Sequence, residues 1–131
     1  MPLKEDDKAP AFELPDQDGK VRTILDWAGK WLLVYFYPKD DTPGCTKEAC
    51  SFQAQIPDFG KAGLDVVGIS VDTVESHKKF AGKYKLKFPL LSDEQKEVVD
   101  LYGVWGKKTF MGKESMGVIR SSFLINPEGH I

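Results

Sequence analysis

The run Trp31-Leu32-Leu33-Val34-Tyr35-Phe36-Tyr37 is apolar at every position and is stopped by Pro38. Alternate side chains of a strand point to opposite faces, so such a run predicts a central strand covered by helices on both sides. The next segments of the chain fit that demand: a helix from about Thr42 to Phe59, a second apolar strand from Leu64 to Val71, and a helix opened by Asp72-Thr73. Together these make a βαβ unit. The expected fold class is α/β, a central mixed β-sheet flanked by helices. With 131 residues, 41% of them hydrophobic, the chain suits one such domain over residues 1–131.

The flanking segments are expected to complete the sheet. Phe12, Leu14 and Val21 flank Pro15-Asp16-Gln17-Asp18-Gly19, a hairpin with an Asp-Gly turn at a sheet edge. Phe88-Pro89-Leu90-Leu91 reads as a short strand and Ser92-Asp93 as the cap of a helix ending at Gly103. Lys107 to Lys113 reads as a polar loop and Gly117 to Ile125 as a strand. Asn126-Pro127-Glu128-Gly129 has the residues of a type I turn, so the chain is reversing toward a return strand when it stops at Ile131. The domain is expected to lack its last elements. A complete domain is expected to be monomeric, and an uncovered edge to favour association.

Eighteen Lys and Arg against 20 Asp and Glu leave a net charge of -2, with the signs interspersed, which argues against nucleic acid or an anionic membrane as partner. The stretch Met1 to Lys8 lacks the apolar core of a signal peptide, and the longest apolar run is too short to span a bilayer, so a soluble, cytoplasmic protein is expected. Two cysteines are too few for a disulfide scaffold. In a reducing compartment they are either packing residues or chemistry.

The segment Tyr37-Pro38-Lys39-Asp40-Asp41-Thr42-Pro43-Gly44-Cys45 decides between these. Thr42 suits a helix N-cap and Pro43 the first helical position, which puts Cys45 third in the helix, among free N–H groups at the positive end of the dipole. A thiol there is expected to be acidified. At the reference value of about 8.5 a thiol is roughly 3% thiolate at pH 7, and at about 6 it is roughly 90%. A guanidinium nearby would add to the effect, and Arg22 and Arg120 are the two arginines available. On an ideal helix Cys45, Ala49, Phe52, Ile56 and Phe59 fall within about 40° of one direction, so the thiol faces the sheet. Cys50 lies about 140° away, off that stripe. Their Cα atoms would be about 8.6 Å apart, beyond the roughly 7 Å limit for a disulfide, so bridging them requires unwinding the first turns.

Cys-x4-Cys is also within the range of some zinc spacings, but only His77 and His130 stand beside it, in no ligand pattern, and His77 within Ser76-His77-Lys78-Lys79 reads as a solvated helix face. No metal and no organic cofactor is expected. Cys-x-x-Cys, Gly-x-Ser-x-Gly, P-loop and dinucleotide motifs are absent from the sequence.

The residues of this segment resemble the peroxiredoxins, whose Pro-x-x-x-Thr-x-x-Cys pattern is met by Pro38, Thr42 and Cys45. The fuller stretch from Val34 to Thr46, with Cys50 five residues after Cys45, is similar to the bacterioferritin comigratory protein (peroxiredoxin Q) subfamily. So are Gly103-Val104-Trp105-Gly106-Lys107 and Arg120-Ser121-Ser122-Phe123-Leu124-Ile125. The resemblance implies a thioredoxin-like fold and reduction of hydrogen peroxide or alkyl hydroperoxides without a cofactor. It also implies a peroxidatic Cys45, a resolving Cys50, a substrate-binding Thr42, a shielding Pro38, an active-site Arg120 and a supporting Glu48. Backbone N–H groups of Gly44 and Cys45 would stabilise developing charge. Thioredoxin is the implied reductant. A non-catalytic peroxide or redox sensor, using the same cysteine pair, is the alternative.

Overall fold

The computed structural model describes residues 3–110 and 112–131; Met1, Pro2 and Met111 lie outside the described residues. The chain passes through β1 (Glu13–Pro15), β2 (Val21–Thr23), a 3-10 turn (Ile24–Trp27), β3 (Trp31–Phe36), α1 (Pro43–Lys61) and β4 (Leu64–Ser70). It continues through α2 (Val74–Tyr84), β5 (Leu90–Ser92), α3 (Glu97–Leu101), β6 (Trp105–Phe110), β7 (Lys113–Val118) and β8 (Ser121–Ile125). The apolar run has the predicted central place: the main sheet has the order β5-β4-β3-β8. Within it β3 is parallel to β4 and antiparallel to β8, so the sheet is mixed as expected.

Alternation along β3 divides the interior in two. Leu32, Val34 and Phe36 enter a core with Val98 and Val99 of α3, with Tyr102 that follows it, and with Phe12 and Trp27. Leu33, Tyr35 and Tyr37 enter the opposite core, covered by Cys45, Ala49 and Phe52 of α1 and Phe80 of α2. Trp31, at the start of the run, is 42% exposed, because coverage begins only at the next residue. Tyr35 lies across its parallel neighbour Gly68, where an added Cβ would stand 2.8 Å from the tyrosine ring. Glycine at 68 is therefore a packing requirement of Tyr35.

Three sequence expectations are corrected. The β1–β2 hairpin has the expected turn but forms a separate two-stranded sheet instead of an edge of the main one. It is tied to β5 through the Gln17 amide, which donates to Phe88 O and accepts from Leu90 N. Ser92 belongs to β5, and the helix after it begins only at Glu97, where the Asp93 carboxylate accepts the buried Val99 N–H from a distance in sequence. The expected 107–113 loop and 117–125 strand are rearranged: Trp105–Phe110 pairs with Lys113–Val118, and the chain breaks at Ile119-Arg120 before β8 starts. Residues up to Val118 pair with β6 and residues from Ser121 pair with β3, so the chain changes sheets between them.

The turn at Asn126–Gly129 forms as expected, with Gly129 N donating to Asn126 O at 2.9 Å. The chain then runs back beside the N-terminal segment, where Ala9 N donates to Gly129 O and Ile131 N to Asp7 O. Among the described residues strand β8 pairs on one side only, with Leu124 48% exposed. No helix among the described residues is long and apolar enough to cross a membrane.

Candidate active site

Helix α1 opens as predicted, with Thr42 at the N-cap in an extended conformation and Pro43, Gly44 and Cys45 as its first three residues. The first amide with an intrahelical partner is that of Thr46, which donates to Thr42 O at 2.8 Å. Pro43 has no N–H, so the amides of Gly44 and Cys45 are left pointing out of the helix end. The Thr42 hydroxyl does not cap the helix. It donates instead to Lys39 O at 3.0 Å, closing the loop on itself.

The Cys45 thiol is buried, on the face of α1 that also carries Ala49, Phe52 and Ile56. Arg120 reaches it from the break between β7 and β8. Because Ser121 pairs with Phe36, the residue before it is delivered to the end of β3, beside the start of α1. There Nη2 donates to Cys45 Sγ at 3.2 Å and Nη1 to Glu48 Oε1. A guanidinium in this place makes a charge-assisted hydrogen bond to a thiolate. Partial burial works to lower the Arg120 pKa, but hydrogen bonds and charges from Cys45 and Glu48 outweigh it and hold it above its ordinary value. Burial pushes the Glu48 carboxyl up, and Arg120 offsets this only in part.

Gly44 has a reason to be glycine, since a Cβ there would meet Arg120 Nη2 at 3.3 Å. Pro38 is half-buried two residues after the end of β3. Cys50 is half-buried on the same regular helix, and both cysteines are free thiols. The structure thus brings Cys45, Arg120, Glu48 and Gly44 together and sets Thr42 at the mouth of the helix. Cys50 stands apart from them, at i+5.

One reading of the sequence is overturned. His77 is fully buried, not on a solvated face. Its Nδ1 lies 2.6 Å from Asp40 Oδ2 and its Nε2 is 2.9 Å from Leu91 O. Lys78 and Lys79 beside it are exposed, and their charges mask the inward turn of the helix at His77. Asp40, Tyr37, Ser70, Asp72 and Ser76 join the same network, and the sequence reading missed all of them. No local signal in the sequence separates the buried Asp40 from the exposed Asp41 beside it. Among the described residues neither cysteine joins His77 or His130 in a group able to hold a metal ion.

A buried thiol at a helix N-terminus, paired with an arginine and placed directly after the central strand of a mixed sheet, defines a thioredoxin-like, thiol-based oxidoreductase. Residues 6–131 match the AhpC/TSA family. Peroxiredoxin Bcp of Escherichia coli (strain K12) is 52% identical over 130 residues, 99% of this chain and 83% of that one. Peroxiredoxin Bcp of Bacillus subtilis (strain 168) is 41% identical over 131 residues, 100% of this chain and 83% of that one. Among solved structures, a Xanthomonas campestris peroxiredoxin Q aligns with a TM-score of 0.86 at 42% identity, covering 92% of this chain and 76% of that one. A cysteine mutant of Xylella fastidiosa PrxQ aligns with a TM-score of 0.92 at 32% identity, over 99% and 83%. The chain belongs to the AhpC/TSA family, in its Bcp/PrxQ branch, and is a thiol peroxidase, with peroxide as substrate and thiols as reductant.

Proposed function

We propose that Cys45 is the peroxidatic cysteine and Cys50 the resolving cysteine of a peroxidase recycled by thioredoxin. In this reading Thr42, Arg120, Pro38 and Gly44 form the peroxide site and Glu48 supports Arg120. The observation that carries it is the Arg120 Nη2 contact to Cys45 Sγ, 3.2 Å, at the open end of α1. The Cys45 thiolate attacks the terminal oxygen of ROOH, the O–O bond breaks, and the RO⁻ group leaves as alcohol or water after taking a proton. The Thr42 hydroxyl donates its own proton to Lys39 O, so it meets the substrate as an acceptor for the peroxide O–H. Arg120 and the amides of Gly44 and Cys45 offer donors for the charge that develops on the oxygens.

Cys45 is then a sulfenic acid. Condensation with the Cys50 thiol expels water and forms the disulfide, and a dithiol supplies two electrons to restore both thiols. Both cysteines lie on one regular helix, and its geometry separates positions five apart by about 8.6 Å, so the first turns of α1 unwind in this step. Hydrogen peroxide and alkyl hydroperoxides are the substrates in this reading. In its support, the similar Xanthomonas campestris bacterioferritin comigratory protein is described by its alkyl peroxide reduction activity. Residues 1–131 act as one cytoplasmic, monomeric domain, without nucleic acid or membrane partners.

Steady-state peroxide consumption with thioredoxin as reductant tests this. Wild-type protein is expected to turn over, Cys45→Ser to be inactive, and Cys50→Ser to react once and stall. Sustained thioredoxin-dependent turnover by Cys50→Ser would remove the resolving role.

A further inference from the structure

Asp40 is the buried residue of the 38–42 stretch that leads from β3 into α1. Its carboxylate accepts the Tyr37 hydroxyl at Oδ1, and the Ser76 hydroxyl at 2.7 Å and His77 Nδ1 at 2.6 Å at Oδ2. Its amide donates to Asp72 Oδ2 at 2.9 Å, an oxygen that also accepts from Ser70 Oγ at 2.7 Å. One loop residue is thereby tied to the ends of β3 and β4 and to α2. The remaining side-chain ties of this loop are exposed: Asp41 to Lys83 and Tyr84, and Thr42 to Lys39 O.

The ring of His77 has acceptors at both nitrogens, the Asp40 carboxylate on one side and Leu91 O on the other. The two contacts fix the ring between the 38–42 loop and β5. Tyr37 keeps its proton to donate, because burial first and the Asp40 charge second push its hydroxyl well above the usual range. Asp40, Asp72 and His77 place ligand-type atoms within 4.8 Å of one another. These atoms already bond each other, Ser70, Ser76 and Tyr37, so the cluster is a closed network and not an open cation site.

We infer that His77 and Asp40 are positioning residues of the peroxidase, a buried hydrogen-bonded pair that holds the 38–42 loop so that Thr42 meets the peroxide above Cys45. Neither residue touches the substrate. The pair acts through the short stretch of chain that joins Asp40 to Thr42. It also sets a limit on the unwinding of α1, since the chain before Pro43 stays fixed while the turns after it open. The inference rests on the proposed role of Thr42.

The test is a double-mutant cycle on the full chain, read by stopped-flow reaction with hydrogen peroxide and, separately, by alkylation with iodoacetamide. Alkylation reports the thiolate and is indifferent to where Thr42 stands. His77→Gln is expected to slow the peroxide step by between about 10- and 100-fold, the scale of a small misplacement of a reacting group. Its alkylation rate should stay within about twofold of wild type, and its penalty should vanish when Thr42 is already Val. Ser76→Ala, which removes one donor to Asp40 and no charge, is expected to cost about fivefold, on the scale of one hydrogen bond. It decides the matter if His77→Gln fails to fold. A slow Thr42→Val with His77→Gln or Ser76→Ala at wild-type rate overturns the positioning role alone, as do penalties that multiply. Thr42→Val at wild-type rate overturns the assignment of Thr42, and the positioning role with it.

Discussion

Replacing Arg120 with alanine removes the side chain whose Nη2 stands 3.2 Å from the Cys45 sulfur. At that separation and an effective dielectric near 20, a unit charge pair is worth about 5 kcal/mol, which is a ceiling. The Arg120 side chain is 40% exposed, so water screens part of this. A charge-assisted hydrogen bond in such a place contributes about 1.5–3 kcal/mol. If stabilisation of this size is gained only in the transition state, as charge moves from the sulfur onto the peroxide oxygens, the peroxide rate constant falls by roughly 10- to 150-fold. The single variant also leaves the Glu48 carboxylate, whose side chain is 21% exposed, without its partner. The assay is therefore stopped-flow oxidation of Arg120→Ala and of Arg120→Ala with Glu48→Gln, with melting curves to show that both fold. Arg120→Lys should lie between, since it keeps the charge and loses the fork that spans Sγ and Oε1. A folded Arg120→Ala that reacts within twofold of wild type would refute the reasoning.

Further outcomes come from particular atoms. Gly44→Ala puts a Cβ 3.3 Å from Nη2, so Arg120 must shift; peroxide reactivity should fall several-fold, about 1 kcal/mol of barrier, while the melting temperature barely changes. Tyr35 is 1% exposed and its hydroxyl has no hydrogen-bond partner among the described residues, while burial and nearby charges keep it protonated. Tyr35→Phe removes that stranded hydroxyl and is expected to raise urea-denaturation stability by about 1 kcal/mol, where a loss would contradict the packing described. Glu48 has a folded-state pKa raised by burial, so the folded chain binds its proton more tightly than the unfolded chain does. Stability relative to Glu48→Gln should therefore rise as pH falls from neutral through that raised value, and level off below the unfolded value. Paired melting curves across that range check the direction.

Much of this was legible in the sequence because strong local signals and the global fold agree. The run from Trp31 to Tyr37 specifies a strand buried on both faces, and Thr42-Pro43 specifies a helix start, so Cys45 at a helix N-terminus could be derived from chain chemistry alone. The 105–125 region was misread because the pattern of side chains does not record which partner a strand pairs with. Gly117 to Ile125 is apolar enough for one strand, yet it serves two sheets, and the change of partner at Ile119-Arg120 places the arginine. His77 was misread for a related reason. Two neighbouring lysines suggest a wet helix face, whereas helix α2 turns the residue before them inward to an Asp40 that lies 37 positions away. A buried polar residue is identified by its partners, and those partners are set by tertiary structure.

The central claim is that Cys45 takes the oxygen and Cys50 removes it, and intact-protein mass after one equivalent of hydrogen peroxide reads this directly. Wild-type protein should react fast and lose two hydrogens, Cys50→Ser should gain one oxygen, and Cys45→Ser should keep its mass. An oxygen retained on wild-type protein, or a disulfide-linked dimer in place of the internal bridge, would contradict the account.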